Sequence, residues 1–274
     1  MAPNSLRRTL SYSKLQLRGP LVFSPSIGQR DGLLQQGTTA SGTVNGTNSY
    51  TTTCDIHDRV SGGAVWEAFS VTMKTGLKTT DMIAKLVCPP MYPAQAHFDG
   101  WGHDELFGGY DEPTVRRAIN TELGLYAGEL ACLQGRAVPT LFSIFAGFDE
   151  GEEDVWMVLM ENAGAQVDPE MLTALEKYVS AKCLFPCELT RLPRRIEIIS
   201  HYHALHSAGV LHCDPEPKHW LQHHPNGPIR IIDFERSKRS SDMTAEEWEK
   251  NCKWELVGVL AKLKLYPNGG FWEG

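Results

Sequence analysis

Short apolar runs separated by turn residues predict a β-hairpin near the start of the folded body. Residues 60–74 alternate loosely and are rich in Val, Trp, Phe and Thr, and residues 79–88 form a second run centred on Met82-Ile83-Ala84. The turn between them lies at 75–78, and a pair of prolines ends the second run. Residues 89–112 are rich in Pro and Gly and predict no regular element.

An amphipathic helix is predicted next, because apolar residues recur three or four positions apart over about 20 residues. The members of this stripe are Val115, Ile119, Leu123, Tyr126, Leu130 and Leu133. Asp111-Glu112-Pro113 is a typical helix start, with acidic residues and a proline in the first turn. Glu122 lies beside the stripe, so we expect its carboxylate to reach from the buried edge of the helix toward a neighbouring sheet.

Strand patterns dominate up to residue 160, and helical patterns dominate afterwards. Residues 140–148 and 154–160 predict two further strands joined by an acidic turn. Helical periodicity follows in three segments, at 168–180, 191–208 and 243–263. Strands first and helices later, with a hinge at 161–165, predict an α+β fold with two lobes.

The first 50 residues differ in composition from the rest and predict a flexible basic tail. They contain five basic residues and one acidic residue, and Gly, Ser, Thr and Asn make up almost all of residues 37–53. Such a segment buries too little apolar surface to offset its ordering entropy. We therefore place the tail and linker at 1–50, the first lobe at 51–162 and the second at 163–274. An organelle-targeting segment is the alternative interpretation of the tail.

Charge and hydropathy argue against two classes of partner. The chain has a net charge of −7 and its first 50 residues are net positive, so the folded part is acidic. A nucleic-acid surface needs a concentrated basic face instead. No apolar run approaches the roughly 20 residues that a bilayer span needs. We expect no nucleic-acid partner and no membrane, the basic tail being the one feature that could supply either.

Cysteine and histidine positions predict neither a disulfide framework nor a zinc site. The seven cysteines are widely spaced and include no CxxC pair, so we expect reduced thiols. Seven of the ten histidines fall between residues 201 and 224, but they do not form the HExxH pattern. Residues 1–20 lack the apolar segment of a secretory signal, and we expect a cytoplasmic or otherwise intracellular protein.

One pair of motifs carries chemistry. A helical pattern ends at Gly209, an apolar pair leads into His212-Cys213-Asp214, and Asp233 follows a short apolar strand 19 residues after Asp214. With Lys85 and Glu122 upstream in order, this arrangement resembles the protein-kinase-like superfamily, which includes aminoglycoside and choline kinases. The resemblance runs from about residue 55 to about residue 263. It implies a bilobal fold and an ATP-dependent, Mg²⁺-dependent transfer of phosphate to a hydroxyl acceptor.

The resemblance implies a set of nucleotide-binding residues in the first lobe. Lys85 matches the lysine that binds the nucleotide phosphates, and Glu122 matches its ion-pair partner. Gly62 and Gly63 occupy the place of the glycine-rich loop, where backbone N–H groups approach phosphate. They lack the full GxGxxG pattern, and an ordinary turn is the alternative. Glu161, at the hinge position, is assigned to the nucleotide site as well.

The second lobe holds the implied catalytic and metal-binding residues. Asp214 matches the aspartate that orients the acceptor hydroxyl, and Asp233 matches the metal-binding aspartate. Lys218 lies where a cation reaches the transferred phosphate in some kinases, although it could equally be a solvated loop lysine. His219 stands where the family usually has a metal-binding Asn, so it is a candidate but poor ligand for magnesium. Glu235 replaces the usual Gly after Asp-Phe.

Two functions stay open at this stage. Only 39 residues follow Glu235, so we expect a reduced second lobe without the helices that bind peptide substrates in ordinary protein kinases. The first hypothesis is an active phosphotransferase whose acceptor the sequence does not name. The second is a pseudokinase, a nucleotide-binding or scaffold protein with a possible protein partner. His219, the incomplete glycine loop and the short second lobe favour the second hypothesis.

Overall fold

The computed structural model describes residues 16–20, 52–75, 77–93, 110–148, 154–168 and 192–265. Over these ranges the protein is of the α+β class, as the sequence predicts, with antiparallel sheets and three α-helices. The helices are α1 (Glu112–Ala127), α2 (Leu192–Ser207) and α3 (Ala245–Lys262). The predicted helical segment at 168–180 lies outside the described residues except for Asp168, and most of the predicted tail also lies outside them.

The chain divides into two compact units. One comprises Met1–Asn120 with Leu141–Asn162, and the other comprises Thr121–Thr140 with Ala163–Gly274. The passage from Asn162 to Ala163 lies within the segment that the sequence analysis assigns to a hinge. Thr121–Thr140, assigned from the sequence to the first lobe, belongs to the second unit. It does so because the Arg230 guanidinium donates to the carbonyl oxygens of Gly135 and Arg136 at 2.7 and 2.8 Å.

The first unit is built on a six-stranded antiparallel sheet with the order β1-β5-β6-β4-β3-β2. Its strands are β1 (Gln16–Pro20), β2 (Thr52–Gly62), β3 (Glu67–Thr75), β4 (Lys78–Val87), β5 (Leu141–Phe148) and β6 (Asp154–Glu161). The predicted hairpin is β3–β4. Strand β2 was not predicted, because its exposed Asp, His and Arg side chains hide the alternation. Gln16–Pro20, within the predicted tail, pairs with β5 as an edge strand.

One face of this sheet carries the core of the first unit. Its buried members are Phe69, Val71, Met82, Ala84, Leu86, Cys88, Val155, Met157 and Leu159. Because side chains alternate along a strand, Lys85 points to the opposite face from Ala84 and Leu86. Lys85 is paired with Ala68 on β3 and with Val158 on β6, which fixes its place in the middle of the sheet.

The second unit combines two small sheets with α2, α3 and the end of α1. Strands β7 (Ala165–Gln166), β9 (Trp220–Gln222) and β10 (Ile229–Ile231) form one antiparallel sheet in the order β10-β9-β7. Strands β8 (Val210–Leu211) and β11 (Lys238–Arg239) form the other. None of the described helices is long and apolar enough to cross a membrane.

Helix α3 starts at a capping box. The Thr244 hydroxyl accepts from the Glu247 backbone N–H at 3.2 Å, and the Glu247 carboxylate accepts from the Thr244 backbone N–H at 2.9 Å. The helical periodicity predicts an apolar face made of Trp248, Leu256, Val259, Leu260 and Leu263. Val259 and Leu263 are buried as predicted, whereas the other three are only partly buried, and the third buried position of the helix is the acidic Glu255.

Gly164 offers a direct test of the second unit's packing. Its φ is +88°. A Cβ there would overlap the backbone of Gln222, the last residue of β9, and of His223, which follows it. We expect Gly164→Ala to lower the free energy of unfolding by about 2–4 kcal/mol in chemical denaturation.

Gly258→Ala is the matched control, because a Cβ at this helical position would make only an ordinary 3.6 Å contact with Pro215. Its free energy of unfolding should be unchanged or higher. Equal effects of the two substitutions would contradict the packing described for Gly164.

Candidate active site

The second unit brings together Asp214, His219 and Asp233. Asp214 lies on the loop that follows β8, and this loop ends in a short 3₁₀ turn at Pro217–His219, directly before β9. Asp233 lies two residues after β10. In the β9–β10 register Trp220 is opposite Ile231, and the Ile232 N–H donates to the His219 carbonyl at 3.0 Å. Strand pairing therefore sets His219 beside Asp233.

His219 joins the two aspartate segments through both ring nitrogens. Nδ1 lies 2.9 Å from the backbone oxygen of Asp214, and Nε2 lies 3.1 Å from Oδ2 of Asp233. A carbonyl oxygen and a carboxylate can only accept, so both nitrogens must donate and the ring is an imidazolium. Burial lowers the pKa of His219, but the hydrogen bonds to Asp233 and Asp214 and their negative charges outweigh burial, and the pKa is raised.

The neighbouring His212 has the opposite protonation state. Its Nε2–H donates to the Ile232 carbonyl at 2.8 Å, and its Nδ1 accepts from the Asp214 backbone N–H at 3.3 Å. One nitrogen donates and the other accepts, which is the pattern of a neutral ring. Burial lowers the pKa of His212 and outweighs the hydrogen bond to Ile232. A neutral ring and a charged ring, with centroids 5.5 Å apart, therefore brace the Asp214 loop against the Asp233 segment.

These hydrogen bonds argue against His219 as the metal ligand that the sequence analysis considered. An imidazolium has no nitrogen lone pair to give to a metal. Among the described residues, no group of three or more His, Cys, Asp or Glu side chains could hold a metal ion. A magnesium ion that arrives with nucleotide phosphates needs only one or two carboxylates. Asp233, whose side chain is 29% exposed, fits as one of these.

Both aspartate segments contain a residue in the left-handed backbone region. Cys213, directly before Asp214, has φ of +64°, and Asp233 itself has φ of +75°. Such conformations are costly for residues other than glycine, and they persist where surrounding contacts impose them, often at functional sites. The His219 ring, through its hydrogen bond to the Asp233 carboxylate, contacts the residue with the second of these conformations, Asp233.

Glu255 of α3 holds Cys213 in its left-handed conformation, and the sequence analysis did not single out this residue. Its Oε1 accepts from the Cys213 backbone N–H at 2.6 Å, and its Oε2 lies 2.7 Å from Nε2 of His206. The one available signal was an acidic residue in register with Val259 and Leu263. A carboxylate at a buried helix position needs partners, and these partners are the backbone of the loop after β8 and His206 of α2.

Two further contacts attach α3 to the same loop. Lys262 donates to both carboxylate oxygens of Glu216 at 2.7 and 3.0 Å, and Pro215 lies near Gly258, close enough for an added Cβ to make an ordinary contact. Lys218, a predicted catalytic residue, is exposed on the 3₁₀ turn. The Cys213 thiol stays protonated at neutral pH, because burial and the Glu255 charge raise its pKa to about 11.

The segment after Asp233 packs against the end of α1. Phe234 is fully buried, in edge-to-face contact with Tyr126 at 5.9 Å and against the His212 ring at 4.9 Å. Glu122 lies one turn before Tyr126 and is 2% exposed, so its carboxylate belongs to the buried part of the second unit. Arg239 donates to Glu129, two residues after the end of α1, at 2.8 Å.

The remaining predicted site residues lie in the first unit. The Lys85 ammonium lies 5.3 Å from the centroid of the Trp66 ring. Gly62 and Gly63 form the turn between β2 and β3, and the Gly63 N–H donates to the Trp66 carbonyl at 2.8 Å. Glu161 ends β6 opposite Met82.

Comparison with protein-family models and with curated proteins found no match to this chain.

Glu255 is tested by its effect on stability. Glu255→Ala leaves the Cys213 N–H and His206 without their buried acceptor. We expect the free energy of unfolding to fall by about 2–4 kcal/mol. Glu249→Ala on the same helix breaks only the exposed pair with Lys253 and should change stability by less than about 0.5 kcal/mol. A similarly small loss for Glu255→Ala would contradict its role in holding the loop.

The charge on His219 is tested by the pH dependence of stability. A raised folded-state pKa stabilises the protein fully below the unfolded value of 6.5, and this contribution disappears as the pH rises through the folded-state pKa. The difference in free energy of unfolding between wild type and His219→Gln should therefore be largest below pH 6.5 and shrink above it. Other histidines titrate in both proteins and largely cancel. A difference that grows as the pH rises would show that His219 is neutral.

Proposed function

We propose that this chain is an ATP-dependent phosphotransferase with a bilobal protein-kinase-like fold, which transfers the γ-phosphate of ATP to a hydroxyl acceptor. The observation that carries the proposal is the hydrogen-bonded link from Asp214 through His219 to Asp233. Phosphoryl transfer asks the protein mainly for positioning and charge. Asp214 follows a residue with a strained backbone conformation, and Asp233 has such a conformation itself. Two aspartates held in place in this way suit a reaction that depends on positioning.

Asp214 acts on the acceptor in this proposal. Its carboxylate is partly exposed, while its backbone N–H is held by His212 and its carbonyl by His219. The carboxylate accepts the proton of the acceptor hydroxyl and orients its oxygen for attack on the γ-phosphorus. The thiol of Cys213 takes no part, because its raised pKa keeps it protonated.

The nucleotide phosphates are bound by the Lys85 ammonium in this proposal. Magnesium, when bound with ATP, neutralises phosphate charge. Asp233 would be one protein ligand of this magnesium ion, because magnesium prefers carboxylate oxygens. Glu235 is a second candidate ligand for the same reason. His219 supplies a fixed positive charge in place of a second metal ligand.

A pseudokinase is the second candidate function, and one observation favours it. The His219 imidazolium neutralises the Asp233 carboxylate, which weakens the attraction of that carboxylate for a cation. Such a protein binds nucleotide with little dependence on Mg²⁺ and acts as a scaffold for a protein partner.

Phosphate transfer and nucleotide binding together test the proposal. The purified full chain is assayed with Mg·ATP for hydrolysis and for transfer to a panel of alcohols, including an aminoglycoside, choline and a serine-containing protein. We expect turnover that Asp214→Asn reduces about a hundredfold or more while Mg·ATP binding persists. Asp233→Ala should abolish the Mg²⁺-dependent part of ATP-induced thermal stabilisation.

Asp242→Asn is the matched control, because Asp242 is exposed in the same unit and bonds only locally to the Ser241 hydroxyl at 3.2 Å. It should behave as wild type. Mg²⁺-independent ATP binding without turnover in wild type would support the pseudokinase instead. Absence of both binding and turnover would contradict both candidates.

A further inference from the structure

Trp66 carries a buried donor for which the described residues supply no acceptor. The side chain is 4% exposed, and no acceptor in the described part of the chain lies within hydrogen-bond distance of its Nε1–H. Buried N–H groups of folded proteins are nearly always bonded to protein, water or ligand. An indole N–H in this position therefore points to a partner that the described residues do not provide.

The Lys85 ammonium is next to this donor. Lys85 is opposite Ala68 on β3, and Trp66 directly precedes this strand, two residues before Ala68, on the side of the sheet to which Lys85 points. Lys85 Nζ lies 5.3 Å from the centre of the indole ring, within the range of a cation–π contact. An ammonium over the indole ring and an N–H at the edge of the same ring can both donate to an anion with several oxygens, such as a diphosphate.

Several groups of the turn before Trp66 are already bonded within the protein. The Gly63 N–H is already bonded to the Trp66 carbonyl, and the Tyr92 hydroxyl lies 2.9 and 3.0 Å from the carbonyl oxygens of Ala64 and Val65. The space above Gly62 is filled by the Arg59 guanidinium, which pairs with Glu67 at 2.9 Å. Glu67 is opposite Leu86, the neighbour of Lys85 on β4. Because consecutive strand residues point to opposite faces, this ion pair lies on the face opposite Lys85.

We propose that Trp66 is a nucleotide-binding residue whose Nε1–H donates to a phosphate oxygen of the nucleotide held by Lys85. The proposal rests on the proposed function and assigns it one more ligand-contacting side chain. Trp66 thus supplies the donor that the backbone of a glycine-rich loop would otherwise supply. Its ring also fixes the place of the Lys85 ammonium.

Trp66→Phe separates these two contributions, because Phe keeps an aromatic face for Lys85 while the N–H is lost together with the rest of the five-membered ring. Calorimetric titration of wild type and variant with ADP, and with adenosine by competition, should show ADP bound about tenfold more weakly by the variant, since a hydrogen bond to a charged group is lost. Adenosine affinity should be unchanged. The smaller Phe ring leaves a cavity at this buried site, so the ligand-free variant should unfold at a lower midpoint than wild type, and both titrations are made well below that midpoint.

Trp156→Phe is the matched control in the same sheet, since the Trp156 Nε1–H already donates to Asp154 at 3.3 Å. It should bind ADP as wild type does. If wild type binds ADP and Trp66→Phe binds it equally well, or loses adenosine affinity to the same degree, the inference about Trp66 fails and the proposed function stands. If wild type binds no ADP at all, both fail.

Discussion

The hydrogen-bonded ring of His219, shared between Asp214 and Asp233, is the interaction on which the candidate active site depends. Each nitrogen faces an oxygen that can only accept, so the ring holds both protons and a positive charge. That charge stabilises the Asp233 carboxylate in a left-handed backbone conformation. The neutral His212 beside it completes the link through backbone groups alone.

Secondary structure places this link before any ligand binds. The pairing of Trp220 with Ile231 sets His219 beside Asp233, so a register shift of one residue would separate them. Helix α3 also holds the loop that contains Asp214, because Glu255 bonds to Cys213 and Lys262 bonds to Glu216. The proposed chemistry therefore rests on preorganisation, in which hydrogen bonds made during folding replace part of the work that a second metal ion does in the resembled family.

Sequence patterns predict the elements of this fold better than the contacts of its site. Alternation predicted β4, β5 and β6, and periodicity predicted α1, α2 and α3, because these elements bury one regular face. Strand β2 escaped because an exposed edge strand needs no apolar alternation. The motif spacing predicted Asp214 and Asp233 as site residues. The contacts of His219 depend on strand register, and those of Glu255 depend on how α3 packs against the loop. Such long-range contacts leave no local pattern in the chain.

The protonation of His219 is measured most directly by the ¹H–¹⁵N correlations of the histidine rings in solution near neutral pH, assigned with His219→Gln and His212→Gln. The account predicts that both ring nitrogens of His219 carry protons, whereas His212 carries one on Nε2 alone. A His219 ring with an unprotonated nitrogen would contradict it, since one of the two aspartate segments would then lack its donor and a metal-ligating role for the ring would return.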